Sequence, residues 1–220
     1  MNLTRLTLLG KLLKVASVIG LEFPIEFLSQ IYNKCMEIAT GISFIKRELQ
    51  NAITADFVHQ DAGNPRIYMF NNSFFQQVAY SRLLFSQRTR VHLTVAEHYE
   101  ELVESKNDTT EVRVLYPVLL HHFSCILEAS IADKSVDQDA LRTTIRYLKL
   151  MGDYAAQISQ ESDSDLYKQA LEKAQLFSDP QEKLKAQKEL KLKIIGSQRK
   201  NGLTGFGDAI AAFKLSKLPN

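Results

Sequence analysis

Cysteine is scarce: Cys35 and Cys125 are the only two in 220 residues. Two thiols far apart in sequence exclude a disulfide scaffold and a cysteine-based zinc site. They read as reduced, mostly buried thiols of a cytoplasmic protein. A surplus of one charge is missing too. Lys and Arg total 27 against 25 Asp and Glu, for a net charge of +2. No global field therefore draws in DNA, RNA or anionic lipid. The N-terminal run "MNLTRLTLLGKLLKVASVIGLEF" is apolar but broken by Lys11 and Lys14. Each would cost about 3 kcal/mol inside hydrocarbon. Leu6, Leu9, Leu13, Ala16 and Ile19 or Gly20 instead share one face of a 3.6-residue period. That is a core helix, and no membrane span is expected.

Signatures of chemistry are lacking as well. Phosphate cradling needs free backbone N–H groups in a glycine turn and a lysine aimed at the phosphates. The sequence has no G-x-x-x-x-G-K-S/T; Gly10-Lys11 sits within a helical pattern. "GLTGFG" (202–207) follows a helix rather than a strand and reads as a helix cap or turn. His121 and His122 are adjacent, so they point about 100° apart on a helix. His92 and His98 are also separated around a helix, and H-E-x-x-H does not occur. No G-x-S-x-G marks a nucleophile. Cys125 and His122 fall on one helical face with nothing to activate the thiol. Glu161, Asp163 and Asp165 read as a solvated cluster at a helix start. No cofactor is expected to bind this chain alone, and no catalytic residue is assigned.

What is present is an ordinary globular balance, 45% apolar and 24% charged. Helical patterns cover about 2–19, a stretch beginning at Pro24, and about 41–52. Pro24 suits the first turn of the second. "ADFVHQ" and "RIYMF" then read as a hairpin around the turn cluster Asp61-Ala62-Gly63-Asn64-Pro65. Three helices and a two-stranded wing are the order of a winged-helix domain. Asn71, Asn72 or Ser73 caps a following helix bearing Phe74, Phe75, Val78, Leu83 and Leu84. A further helix carries Val91, Val95, Ala96, Tyr99 and Leu102. The polar stretch "SKNDTTE" (105–111) marks a boundary between domains at 1–104 and 111–220. The second domain reads as helices near 112–129, 138–159, 162–177, 180–195 and 206–216. Tyr167-x2-Ala170 and Phe213-x2-Ser216 echo one another, as in tetratricopeptide-like hairpins; a plain helical bundle is the alternative. The fold class is thus mainly α, with one small hairpin.

A winged helix can read DNA when its third helix and wing are basic. Here Lys46, Arg47 and Arg66 face Glu48, Asp56 and Asp61. Arg82, Arg88 and Arg90 are balanced by Glu97, Glu100 and Glu101. A protein-packing role is the stronger reading, and a nucleic-acid partner is disfavoured.

The ordered segments "LLKVASVIGLEFPIEFL", "YMFNNSFFQQVAYSRLLFSQRTRVHLTVAEHYE", "LLHHF" and "TIRYLKLMGDYAAQ" resemble the region after the ATPase core in STAND-type ATPases. They are most similar to that of soluble, bicarbonate-responsive adenylyl cyclases. The resemblance spans about 8–175. It implies a winged-helix domain on a nucleotide-binding core, followed by helical repeats. It also implies a phosphate-sensing histidine at the start of the helix after the wing, where Asn72 stands in this sequence. An asparagine donates a hydrogen bond but carries no charge, so the helix-cap role is favoured over sensing. The implied function is non-catalytic regulation in a cytoplasmic cyclase-like protein. The neighbouring ATPase or cyclase domain is the partner, and ATP or ADP would be held by a core missing from this chain. The chain is then a fragment or a degenerate relative. A stand-alone interaction scaffold is the alternative, and a DNA-binding winged helix a less favoured one.

Overall fold

The computed structural model describes residues 3–105, 110–158 and 163–200. The patterns at 202–207, 206–216 and Phe213-x2-Ser216, and Glu161, lie outside these residues. The chain is mainly helical with one small antiparallel sheet, and it divides into two compact units, Met1–His98 and Tyr99–Asn220.

In the first unit, α1 (Leu3–Ile19) leads to β1 (Glu22–Pro24), α2 (Ile25–Met36) and α3 (Ile42–Thr54). β2 (Val58–Gln60), β3 (Ile67–Phe70), α4 (Ser73–Ser81) and α5 (Phe85–Ser105) follow, the division between the units falling within α5 after His98. The strands lie in the order β1-β3-β2, with Val58 opposite Phe70 and Phe23 opposite Tyr68. The hairpin turn is built as its residues suggest. Asp61 Oδ2 accepts from Asn64 N at 2.8 Å, and Asn64 O accepts from Ile67 N at 3.0 Å.

β1 is an addition to the two expected strands. Three residues ending in proline fall below any periodicity window. They pair because β3 has a free edge. Phe70 N donates to Leu21 O and Ile25 N to Arg66 O, both at 2.9 Å, which extends the ladder past the strand. Pro24 ends this strand and caps α2 with φ −69° and ψ 137°, rather than entering its first turn. An edge position tolerates its missing N–H.

The core of this unit gathers Leu12, Val15 and Ala16 from α1, Leu28, Ile31 and Tyr32 from α2, and Ile45, Leu49 and Ala52 from α3. Phe23, Val58 and Phe70 close it from the sheet, and Val91 and Val95 from α5. Asn33 secures the end of α2: its Oδ1 accepts from Thr40 N at 3.1 Å, and its Nδ2 donates to Thr40 O at 3.0 Å. Leu83 and Leu84 do not continue the helix bearing Phe74. α4 stops at Ser81, and Leu84 N donates to Gln87 Oε1 at 3.2 Å to open α5. A side-chain cap makes this break without the Gly or Pro that would have signalled it.

The second unit holds α6 (Thr110–Arg113), α7 (Tyr116–Ala132), α8 (Gln138–Gln157), α9 (Asp163–Lys173) and α10 (Pro180–Lys200). Its extensive packing is between chain neighbours: α7 on α8, α8 on α9 and α9 on α10. Asp137 caps α8 by accepting from Asp139 N and Ala140 N, both at 3.0 Å. Among the described residues, one helical run, Thr110–Ala132, is long and apolar enough to cross a membrane by length and composition. Within it, Leu119, Phe123, Ile126 and Leu127 of α7 are buried, and Phe123 stacks on Tyr147 of α8.

Three ion pairs tie α8 to α10: Arg142 to Glu182, Lys149 to Glu189 and Asp153 to Lys193. Each joins residue i to residue i+40. A constant difference, rather than a constant sum, requires the two helices to run in the same direction. The third pair reverses the charges of the first two, so a one-turn slip of α10 would set like charges together. Exposed pairs of this kind contribute little stability singly and serve here to fix register.

Candidate interaction site

The residue singled out by resemblance, Asn72, is the N-cap of α4. Its backbone is extended (φ −156°, ψ 156°), and its Oδ1 accepts from Phe74 N at 2.6 Å and from Phe75 N at 3.4 Å. The cap satisfies two of the donors a helix start leaves open. Asn72→Ala should cost about 1 kcal/mol; amide exchange at Phe74 and Phe75 measures it, with exchange accelerating there and not in α8.

Asn71, one residue earlier, holds the sheet to the α3–β2 turn. Its Nδ2 donates to Asp56 O at 2.8 Å and Oδ1 at 2.6 Å, and its N donates to Phe57 O at 3.0 Å. Its Oδ1 lies 2.7 Å from His59 Nδ1, and an amide oxygen only accepts, so that ring nitrogen is the donor. Asp56 adopts φ +60°, a left-handed turn that Asp tolerates. These contacts fix the angle at which α4 leaves the sheet.

α4 carries an apolar face with little to cover it. None of its residues is buried; Phe74 is 63% exposed and Val78 38%, beside Phe57 at 37%. The helix lies along α1, where Gln76 Nε2 donates to Ser17 O at 3.0 Å. Between the two helices runs an open apolar groove of about 240 Å³. Leu9, Gly10 and Leu13 form one wall, Phe75, Val78 and Ala79 the other; Phe57 and Phe70 also line it, and Lys14 and Arg82 contribute cations. Such a surface can bury an apolar side chain and pair an anion beside it. Sequence periodicity located both helices. Their adjacency was not legible, because it joins segments some sixty residues apart.

The basic residues weighed for nucleic-acid reading are mostly engaged within the unit. Arg47 lies 3.3 Å from Glu48 Oε1 and over the Phe44 ring, and Arg66 lies 3.6 Å from Glu26. Arg90 pairs with Glu37 at 2.6 Å, and Arg88 covers the Tyr80 ring. Glu48, set against the basic residues in the sequence, is buried and also accepts from Asn51 at 3.4 Å. Burial first, and Glu48 second, push the Tyr32 hydroxyl up from its ordinary value.

Other candidates sit differently from expectation. On α7 the neighbour of Cys125 is His121, with Sγ 3.9 Å from Nε2, whereas His122 is buried and stacks on Tyr99. Asp163 is not solvated: it is buried, and its Oδ1 accepts from Ser197 Oγ at 2.6 Å and Ser164 N at 2.7 Å. Cys35 is buried, and burial pushes its thiol up. That favours the uncharged form and opposes reactivity.

The second unit has its own open groove, of about 470 Å³, among the start of α7, the end of α8 and the start of α9. Tyr116, Pro117, Met151 and Leu166 line it, and Arg113 lies over the Tyr154 ring at 5.0 Å.

Comparison of the chain with protein-family profiles, with curated proteins and with solved structures finds no match in any of the three.

Proposed function

We propose that this chain is a non-catalytic regulatory and interaction segment of an adenylyl-cyclase-like STAND ATPase. In this reading the first unit is a winged-helix domain, the second a set of tetratricopeptide-like hairpins, and the protein cytoplasmic. The observation that carries it is the uncovered face of α4, where Phe74 and Val78 are exposed and Val78, with Phe57 from the turn before β2, lines a groove. Clustered exposed aromatics mark contact surfaces rather than solvated ones. The order α1-β1-α2-α3-β2-β3, with strands arranged β1-β3-β2, supports the winged-helix reading. Packing between successive helices, with α8 and α10 parallel, supports the repeat reading.

ATP or ADP would be held by the neighbouring core. The Asn72 carbonyl is committed to its cap, so only its amide N–H groups would face a phosphate. Nucleotide state would reach the hairpins through an interface that the two states contact unequally, since only differential contact shifts an equilibrium.

Mixing the chain with the separately purified ATPase core of a bicarbonate-responsive cyclase tests this by calorimetry. Affinities with ADP and with a non-hydrolysable ATP analogue should differ at least about fivefold. Phe74→Ser should weaken both. Equal affinity in the two states, no binding, or ATP turnover by the chain alone would overturn the proposal. Nucleotide-independent binding to another protein would instead favour a stand-alone scaffold, a reading supported by the larger groove of the second unit.

A further inference from the structure

The groove between α1 and α4 has two properties that intramolecular packing leaves unexplained. The first is Gly10. It stands in the middle of α1, where glycine is the poorest helix former after proline. A Cβ added there would meet nothing within 4 Å. Among the described residues no neighbour therefore requires glycine at this position, and Gly10 lines the groove. The second is charge. Lys34, Arg47, Arg66 and Arg90 each have a carboxylate within 4 Å. Lys11, Lys14, Lys46, Arg82 and Arg88 show no such ion pair among the described residues, and of these Lys14 and Arg82 come together on the groove.

We infer that the groove receives a segment of a partner protein that inserts one large apolar side chain. Its backbone approaches α1 at Gly10, and an Asp or Glu within a helical turn of the anchor meets Lys14 and Arg82. The volume of about 240 Å³ suits one such side chain. Gly10 on one wall and Ala79 on the other leave the depth for it. A concave slot with cations on its lining fits a peptide better than a membrane, which seats on a convex apolar surface. The inference rests on the reading of this face as a docking surface and names the chemistry of what docks.

The test pans a displayed library of random twelve-residue peptides on the full chain, then measures labelled winners by fluorescence anisotropy. Winners should pair a Leu, Ile, Met or Phe with an acidic residue no more than four positions away. Arg82→Glu and Lys14→Glu should each weaken them about tenfold, with Arg82→Lys retaining most of the affinity. Gly10→Ala should raise the thermal midpoint by about 3 °C while weakening the same peptides about tenfold. A merely structural glycine would not produce that opposition. No winners, winners without acidic residues, or binding indifferent to Gly10 and Arg82 would overturn the inference. So would failure to bind peptides alongside phosphatidylserine vesicle binding that Arg82→Glu abolishes, which would assign the face to a membrane. If the ATPase core binds with nucleotide dependence and Arg82→Glu leaves that unchanged, the groove assignment fails while the docking reading stands. If the peptides behave as stated and no core binds, the groove assignment and the docking surface stand while the ATPase-core partner fails.

Discussion

Phe23→Ala is expected to destabilise the first unit by about 3–5 kcal/mol, the largest single effect in that unit. The ring is fully buried and is the pivot of the sheet: it stacks on Tyr68 at 6.4 Å and meets Phe70 edge-on at 5.7 Å. Its strand offers almost nothing else. Glu22 and Pro24 are exposed on either side, so β1 is held by one side chain and a short ladder. Removing the ring leaves a cavity against Tyr68 and Phe70, in a core where Ile25 and Leu28 are already fully buried. Denaturant titration with amide exchange at β3 separates the outcomes. Loss of protection at Tyr68 and Met69 together with the global shift means that β1 is integral to the fold. A cost below about 1 kcal/mol means that the strand peels away freely and adds little. Phe23→Leu should recover more than half of the loss.

That dependence on one residue explains why β1 escaped the sequence reading while β2 and β3 did not. The hairpin advertises itself through β-branched and aromatic residues on both sides of a Gly-Asn-Pro turn. A three-residue strand created by a neighbour's free edge has no local signature. The α4 cap was legible for the opposite reason, since an Asn before an amphipathic run is a local device with a local outcome. Burial of Asp163 was not legible. Its partner, Ser197, is thirty-four positions away, and only the packing of α9 on α10 brings them together. The groove belongs to the same class. Gly10 could be seen as a glycine in a helix, but the emptiness in front of it is a tertiary fact.

In the second unit, Tyr167-x2-Ala170 found the right aromatic and only part of its setting. Both residues are buried on α9, but the small residue beneath the ring is Gly152, on α8. A Cβ at 152 would lie 2.6 Å from Tyr167 Cε1 and 2.9 Å from Cζ, well inside contact distance. The ring has little freedom to yield. Its hydroxyl donates to Asp153 Oδ1 at 2.7 Å, Lys193 reaches the same oxygen at 2.5 Å, and the lysine also lies over the ring at 5.4 Å. Burial, then the bond to Asp153, push the Tyr167 hydroxyl well above its ordinary value, so it remains a donor at neutral pH. Gly152→Ala should therefore cost about 2–3 kcal/mol, because overpacking outweighs the roughly 1 kcal/mol that alanine gains as a helix former. The decisive measurement is the same substitution in a Tyr167→Leu background. With the ring gone, the helix preference acts alone, and alanine should become stabilising by about 0.5–1 kcal/mol. A reversal of sign between the two backgrounds, read from denaturant midpoints, would locate the α8–α9 contact at this pair. An equal cost in both would mean that α8 tolerates no side chain at 152 for a reason other than Tyr167, and the hairpin packing described above would have to be redrawn.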